Sequence, residues 1–458
     1  VSKEYDLIVI GAGSGLEISS DAAEQGWQVA VVDPGPFGGT CLNRGCIPSK
    51  AFIHVADVME EIRQAHKFGI KGVNVDKLDV NWQAVVKRVM NPIDEEAAAI
   101  EQGNRSANIG VFKQPARFIG PRTLKVGNKV ITAKNVVIAA GCRPSVPAIK
   151  GLDSISYITS DDVFRLTKLP KSIVFIGGGY IAAELAHLFG TLGTRVTIIQ
   201  RSSTLLSRED DEVAEAFTKA MAAKHDVRLN AEILGVRKGK KGAIVDIKEG
   251  TKLVSVEGEL LLVATGRVPN TDLLDAKAGG VQLDSRGFVV TDSQMRTSAP
   301  GVWAIGDIAG KWQFKHSANL EASYCSHNIL HSGEMMHVDY TAMPHAVFSS
   351  PQLAGVGATE EELIAKKAKY LKGVYRYKDT AMGEAMLEDE GFVKIMIEPK
   401  THKILGCHII GPDASVLIHE VLVAMKAGLP ADAITATIHI HPALNEVVQR
   451  AFASARQI

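Results

Sequence analysis

The sequence predicts an α/β chain in which a parallel-sheet unit occurs twice and a smaller α+β unit follows. Three observations carry this. The stretches "LIVIGAGSGLEISSDAAEQGWQVAVVD" (7–33) and "IVFIGGGYIAAELAHLFGTLGTRVTIIQR" (173–201) repeat one pattern: apolar strand, Gly turn, helix, Gly, β-branched strand. Apolar runs ending in Gly turns, "VVIAAGCRP" (136–144) and "LLVATGRVPN" (261–270), bracket the second copy. After "HSGEMMHVDY" (331–340) the pattern changes to mixed strands and helices.

The first repeat opens on "VSKEYDLIVIG", whose apolar core is too short for a signal peptide and is expected to form the first strand. Gly11, Gly13 and Gly15 form its turn, and Gly177 and Gly179, with Ala182 at the third position, form the second. Such a βαβ unit is a Rossmann-like dinucleotide site: glycines let the backbone approach the pyrophosphate, which sits on the helix N-terminus. Two of them imply two dinucleotides and an electron relay between them.

The repeats differ where the second strand ends. Asp33 aligns with Gln200, and Arg201 follows. A carboxylate there bonds ribose hydroxyls, which suits an adenosine without a 2′-phosphate, as in FAD. It would repel a 2′-phosphate by about 4 kcal/mol at ~4 Å and an effective dielectric near 20. Gln-Arg removes that repulsion and adds a guanidinium, so the second site is expected to prefer NADPH over NADH.

"VWAIGDIAG" (302–310) is another strand into a turn, with Gly306 and Asp307 at its end. Strands are expected at Phe392 to Ile397 and Ile404 to Ile410. In "SVLIHEVLVAMKAGL" (415–429), Leu417, Ile418, Val421, Leu422 and Met425 share one helical face.

Of the 458 residues, 46% are hydrophobic and 22% charged, with a formal net charge of zero, so no nucleic-acid or anionic membrane partner is expected. No uncharged apolar run approaches the roughly 18 residues of a membrane-spanning helix. Five cysteines, three of them scattered (Cys142, Cys325, Cys407), do not form a secreted disulfide framework. A reducing, cytoplasmic setting is expected, with those three as buried small hydrophobes.

The other two lie in "GGTCLNRGCIPSK" (38–50), with four residues between Cys41 and Cys46. Such a pair serves redox chemistry or metal. A metal site needs further ligands close by, and none is there. Two sulfurs at this spacing come within disulfide reach if the chain turns, and Gly45 helps it turn. A helix is expected from Pro48 onward, and thiolates are stabilised near helix N-termini. Near the C-terminal end, "HIHPALNEVV" (439–448) offers His441, with Glu446 placed to orient its ring. Thiol–disulfide exchange needs such a base for the attacking thiol and an acid for the leaving one.

In this order the motifs GAGSG, GGTCLNRGCIPSK, AAGCRP, GGGYIAAE, ATGRVPN, AIGD and HIHPALNE resemble the flavoprotein disulfide reductases, class I of the pyridine nucleotide-disulfide oxidoreductases, over nearly the whole chain. The resemblance implies an FAD domain (1–148, with a return segment 269–336), an inserted NAD(P) domain (149–268) and a dimerisation domain (337–458). It implies that Cys46 lies against the flavin and that Cys41 exchanges with a small disulfide substrate. It places His441 and Glu446 on the partner subunit's disulfide, making a homodimer a requirement. Lys50 and Glu184 match an ion pair at the flavin's reactive edge, Tyr180 a ring over the nicotinamide pocket, and Asp307 a ligand of the FAD ribityl or phosphate. Gly39, Thr40, Ala140, Gly141, Gly266 and Gly306 fall in the cofactor-binding motifs.

Within the family the redox string is most like dihydrolipoamide dehydrogenase. Leu16 stands where such enzymes usually carry the third Gly of the first turn. "HPALNEVV" and "GPDASVLIHEVLVAM" look like mycothione-type C-termini. The mercuric branch fits poorly, because the chain ends "AFASARQI" without a cysteine pair. So does the glutathione branch, because the first helix carries no arginine. The reading is an FAD-dependent reductase that draws on NADPH to reduce a low-molecular-weight disulfide; the alternative is a dihydrolipoamide dehydrogenase of a 2-oxoacid dehydrogenase complex.

Overall fold

Alternation within short apolar runs decides where the two cores lie. In the computed structural model, which describes residues 3–457, β1 (Lys3–Ile10) runs through a Gly turn into α1 (Gly15–Glu24) and β2 (Val29–Val32). β1 and β2 pair in parallel, Ile10 opposite Val32. Leu7, Val9, Val29 and Val31 face one core, and Ile8, Ile10, Ala30 and Val32 face the other. A strand covered on both faces has to be apolar throughout, as this one is. Next come α2 (Gly39–Arg44), α3 (Cys46–Gln64) and α4 (Trp82–Ser106). β3 (Gly110–Phe112), β4 (Ala116–Gly120), β5 (Thr123–Val126) and β6 (Lys129–Ile138) complete the order β3-β2-β1-β6-β5-β4. β7 (Cys142–Pro144) lies beyond it.

The second repeat builds the same unit: β8 (Ser172–Ile176), α5 (Tyr180–Thr191) and β9 (Arg195–Ile199), with Ile176 opposite Ile199. α6 (Asp211–Lys224) and β10 (Asp226–Arg228) extend it. An antiparallel meander, β11 (Ala231–Lys238), β12 (Ala243–Glu249) and β13 (Lys252–Gly258), precedes β14 (Leu260–Val263), which pairs with β8. β15 (Arg267–Pro269) pairs with β7, and β16 (Val302–Ala304) then joins β6 in the first sheet. α7 (Lys315–Leu330) packs on α1.

The last region is an antiparallel sheet flanked by helices, which completes the expected fold class. Its elements are β17 (Pro344–Val347), β18 (Leu353–Gly357), α8 (Glu360–Ala365), β19 (Leu371–Arg376), α9 (Ala381–Ala385), β20 (Phe392–Ile397), β21 (Ile404–Ile410), α10 (Ala414–Lys426), α11 (Asp432–Ala436), α12 (Glu446–Ala453) and β22 (Arg456–Gln457). β20 and β21 have the bounds expected from the sequence. α10 buries Leu417, Ile418, Val421 and Ala424, while Leu422 and Met425 are only half-buried at the edge of that core. Its other side exposes Val416 and Val423, one heptad apart and so on one face. Ile438 and Ile440 are 97% and 77% exposed. Large apolar residues left in water mark a surface for association.

A buried charge set joins the second region to the third. Lys394 on β20, wholly buried, reaches Asp210 at 2.8 Å and Glu360 at 2.6 Å. Asp210 also accepts the Glu212 N–H at 3.2 Å and so caps α6. Removing one partner of such a set costs about 3–5 kcal/mol, because a charge is left buried without its counter-charge. Among the described residues, no helix is long and apolar enough to cross a membrane.

Candidate active site

A continuous cleft of about 3240 Å³ runs past both Gly turns and the cysteine stretch. Both turns are built alike. Gly11 has φ +109°, and an added Cβ would meet the Ala139 carbonyl oxygen at 2.3 Å; Gly177 has φ +110° and the Ala264 oxygen at 2.4 Å. Gly13 and Gly39 face each other closely: a Cβ on Gly39 would lie 2.8 Å from the Gly13 Cα. Close packing of helix on strand falls to Gly15, where a Cβ would meet Val9 at 2.7 Å and Ala139 at 2.9 Å. This is why Leu16 is tolerated at the third glycine position. Ala182, at the third position of the second turn, is fully buried. Neither α1 nor α5 is capped by a side chain, so their first N–H groups remain for an anion.

The residues after the paired strands differ as their chemistry demands. Asp33 accepts the N–H groups of Ala12 and Gly35, both at 2.7 Å. Its two oxygens retain lone pairs for ribose hydroxyls. Gln200 accepts the Arg201 N–H at 3.1 Å and donates to the Thr204 carbonyl at 3.4 Å. Arg201 is exposed on the cleft and makes no ion pair among the described residues. Arg208, absent from the sequence expectations, lines the same end. Thr40, Ala140, Gly141, Gly179, Gly266, Gly306 and Asp307 also line the cleft. Burial raises the Asp307 carboxyl, opposed by the Arg267 guanidinium 3.6 Å away. Turn, open helix end and terminal acid fit FAD at the first repeat, and turn, open helix end and free arginine fit a nicotinamide dinucleotide at the second.

Between the two sites stand the thiols. α3 begins at Cys46 itself, two residues before the expected start at Pro48. Pro48 lies inside the first turn, where its missing N–H would have had no helical partner. Gly45 serves by close approach: a Cβ there would meet the Thr40 carbonyl oxygen at 2.8 Å. Both thiols are free, Cys46 exposed and Cys41 half-buried. The hydrogen bond from Cys41 brings Cys46 down to about 6, with help from the Lys50 ammonium and against burial. Cys41, which donates that bond, is held well above the ordinary thiol range, burial adding to the effect. Ionisation within the pair is thus favoured at Cys46 and disfavoured at Cys41.

Lys50, one turn into α3, pairs with both oxygens of Glu184 on α5, at 3.0 and 2.9 Å. Glu184 is buried and also accepts the Phe348 N–H at 3.1 Å. The Lys50 ammonium lies 4.6 Å from the centre of the Phe348 ring. Farther along the same helices, buried His187 meets Asp57 at 2.8 Å. These cross-links fix the thiol-bearing helix against the helix of the second turn. Tyr180 opens α5 and is exposed to the cleft. Cys142, Cys325 and Cys407 are buried, and the Cys142 thiol donates to the Asp307 carbonyl at 3.4 Å.

His441 and Glu446 form their dyad within one chain, Nδ1 lying 3.0 and 3.1 Å from the two carboxylate oxygens. The His441 bond holds the Glu446 carboxyl below its ordinary range, and Glu446 also accepts the Ala443 N–H at 3.2 Å. The His441 side chain is 68% exposed, and neither residue is among the described residues that line the cleft of their own chain. His439 is spent on Glu420 at 3.0 Å.

The profile described as "Pyridine nucleotide-disulphide oxidoreductase" matches residues 5–322, and that of the family's dimerisation domain matches 343–452. The chain is 40% identical over 464 residues to mycothione reductase of Mycobacterium tuberculosis, covering 99% of each. It is 34% identical over 459 residues to dihydrolipoyl dehydrogenase of Geobacillus stearothermophilus, covering 98% of this chain and 95% of that one. Among solved structures, the HOCl-induced flavoprotein disulfide reductase RclA of Escherichia coli superposes with a TM-score of 0.85 at 27% identity, over 98% of this chain and 99% of that one.

Proposed function

This chain belongs to the pyridine nucleotide-disulphide oxidoreductase family, and from that premise we propose an NADPH-driven homodimeric reductase of a low-molecular-weight disulfide, with mycothione as the first candidate. The observation that carries the reading is the thiol pair: Cys41 hydrogen-bonded to a low-pKa Cys46, beside the Lys50–Glu184 pair, between two dinucleotide turns. FAD at the first turn supplies two-electron transfer between the nicotinamide and the thiols. Asp33 and the α1 N-terminus would hold its adenosine and pyrophosphate, and Thr40 and Asp307 its middle. Arg201 and Arg208 would meet the 2′-phosphate of NADPH, with Gln200 sparing it a like charge.

The thiols carry the substrate step. Cys41, losing its proton, attacks one sulfur of R–S–S–R, and a Cys41–S–R bond forms as the other RS⁻ departs with a proton. Cys46 thiolate then attacks the Cys41 sulfur, forming the Cys41–Cys46 disulfide and expelling the second thiolate, which is protonated in turn. Two electrons pass from the dithiol to the substrate, and two thiols result. The partner subunit's His441, steadied by its glutamate, moves the protons. Support for this trans arrangement is the absence of the dyad from its own chain's cleft, among the described residues, and the exposed Ile438 and Ile440 beside it. A cytoplasmic, reducing location accords with five free thiols.

The second reading, dihydrolipoamide dehydrogenase, rests on the redox string and the 34% relative. Steady-state reduction of mycothione and of lipoamide by the purified flavoprotein separates them. We expect mycothione to be turned over with a kcat/KM at least about 10²-fold above that for lipoamide, a discrimination of ~2.7 kcal/mol. Faster lipoamide turnover would replace the first reading with the second.

A further inference from the structure

The loop 200–210 joins β9 to α6 and carries both arginines of the second site, Arg201 and Arg208. Its middle is tied to the second Gly turn: the Leu206 N–H donates to the Gly178 carbonyl at 2.8 Å, and Leu205 and Leu206 are buried. Its end is held from outside the repeat. His345, on β17 of the last region, meets the Glu209 carboxylate through Nε2 at 2.7 Å. Asp210, the next residue, accepts from Lys394 at 2.8 Å and from the Glu360 N–H at 3.2 Å. Arg208, between the Leu206 and Glu209 anchors, is exposed and has no ion pair among the described residues. The place of His345 is built as well. It stands opposite Gly355 on β18, where an added Cβ would meet its ring at 2.6 Å. His345 and Glu209 both line the cleft.

We infer that His345 is a positioning residue for the choice of nicotinamide dinucleotide: by holding Glu209 it fixes the end of the loop, so that Arg208 is presented to the 2′-phosphate of NADPH. This rests on the proposal that Arg208 meets that phosphate. An arginine is long and flexible, and ordering the backbone beneath it beforehand spares the ligand part of the cost of binding. The bond also occupies the one carboxylate next to Arg208 in sequence. Engaged by His345, Glu209 is withheld from Arg208 and from the incoming phosphate, which it would repel. The bond is not needed to bridge the two regions, which the buried Lys394 set already joins. Nor does the neighbouring ring compete for Glu209: His408, packed against the same glycine, is spent on the Ala358 carbonyl at 2.9 Å.

The test is stopped-flow reduction of the flavin in the FAD-bound protein, with NADPH and NADH each varied so that apparent Kd and limiting rate are read separately. His345→Ala should raise the apparent Kd for NADPH about three- to tenfold, the range for one hydrogen bond. The limiting rate, and the Kd for NADH, should stay as in the unmodified protein. His345→Gln, which keeps a donor, should recover most of the loss. His345→Leu provides a second variant without the donor should the alanine variant fail to retain FAD. Added to Arg208→Ala, His345→Ala should cost nothing more, since a residue that acts through Arg208 has no effect once Arg208 is gone. Unchanged NADPH affinity in His345→Ala, where Arg208→Ala is weakened, would overturn the inference. So would additive losses in the double variant, which would put His345 on the nucleotide itself, and equal losses for both donors, which would make the bond a structural tie alone. An Arg208→Ala protein with the donor preference of the unmodified enzyme would instead fault the phosphate reading of the loop, and the inference would fall with it.

Discussion

The first and second Gly turns are built alike in backbone and differ in charge at the end of the paired strand. Each places a positive-φ glycine under a carbonyl of the neighbouring strand's exit, Ala139 or Ala264, at almost the same separation, 2.3 and 2.4 Å from a would-be Cβ. Each leaves its helix uncapped. The residue after the paired strand then differs: Asp33 accepts N–H groups of its own turn and keeps lone pairs free, whereas Gln200 is neutral and accepts the Arg201 N–H. Backbone geometry is common to the two turns; we propose that the charge at this position selects between NADPH and NADH. The helices that begin at or beside each site, α3 and α5, are then locked together through Lys50–Glu184 and Asp57–His187.

The widest break of the comparison comes from adding a side chain to either turn. Gly11→Val should yield protein that purifies without flavin, since the new atoms collide with the Ala139 carbonyl in a conformation valine avoids. Gly177→Val should keep its flavin yet slow flavin reduction by NADPH at least about 10²-fold, equivalent to ~2.7 kcal/mol. Flavin absorbance of the purified variants and stopped-flow reduction decide. The opposite pattern would exchange the two assignments.

A smaller effect is read where the two sites meet. Because Cys46 is lowered to about 6, its thiolate is present above that pH and lost as pH falls through it. The long-wavelength thiolate–flavin absorbance of the reduced holoenzyme should therefore titrate away with a midpoint near 6, leaving about a tenth at one unit below. In Lys50→Met the midpoint should rise. A band unchanged down to pH 4, or a midpoint near 9, would contradict the shared-proton pair.

What the sequence discloses is what lies close along the chain. Both turns, the thiol stretch, the His441–Glu446 dyad and strands β20 and β21 are short local patterns, and each was legible before any coordinates. Long-range partnerships were not. Glu209 and His345 are 136 residues apart, and Lys394 and Asp210 are 184 apart. No periodicity marks such pairs, because each residue taken alone is an ordinary polar position. Glu184 is intermediate: its motif could be recognised, while its bond to the Phe348 backbone could not. The start of α3 was misplaced for a local reason, since the preference of proline for a helix's first position outweighed its equal tolerance two residues further in. Leu16 likewise drew attention to the wrong residue, because Gly15 was already doing the close packing.

The central claim, that charge at the end of the second repeat makes this an NADPH enzyme, is tested most directly by stopped-flow reduction of the flavin with NADPH and with NADH, in the unmodified protein and in Arg201→Ala. The account predicts that NADPH is preferred, that Arg201→Ala weakens NADPH about tenfold, ~1.4 kcal/mol for one phosphate contact, and that NADH is unaffected. Equal use of the two donors, or equal losses for both in Arg201→Ala, would contradict it.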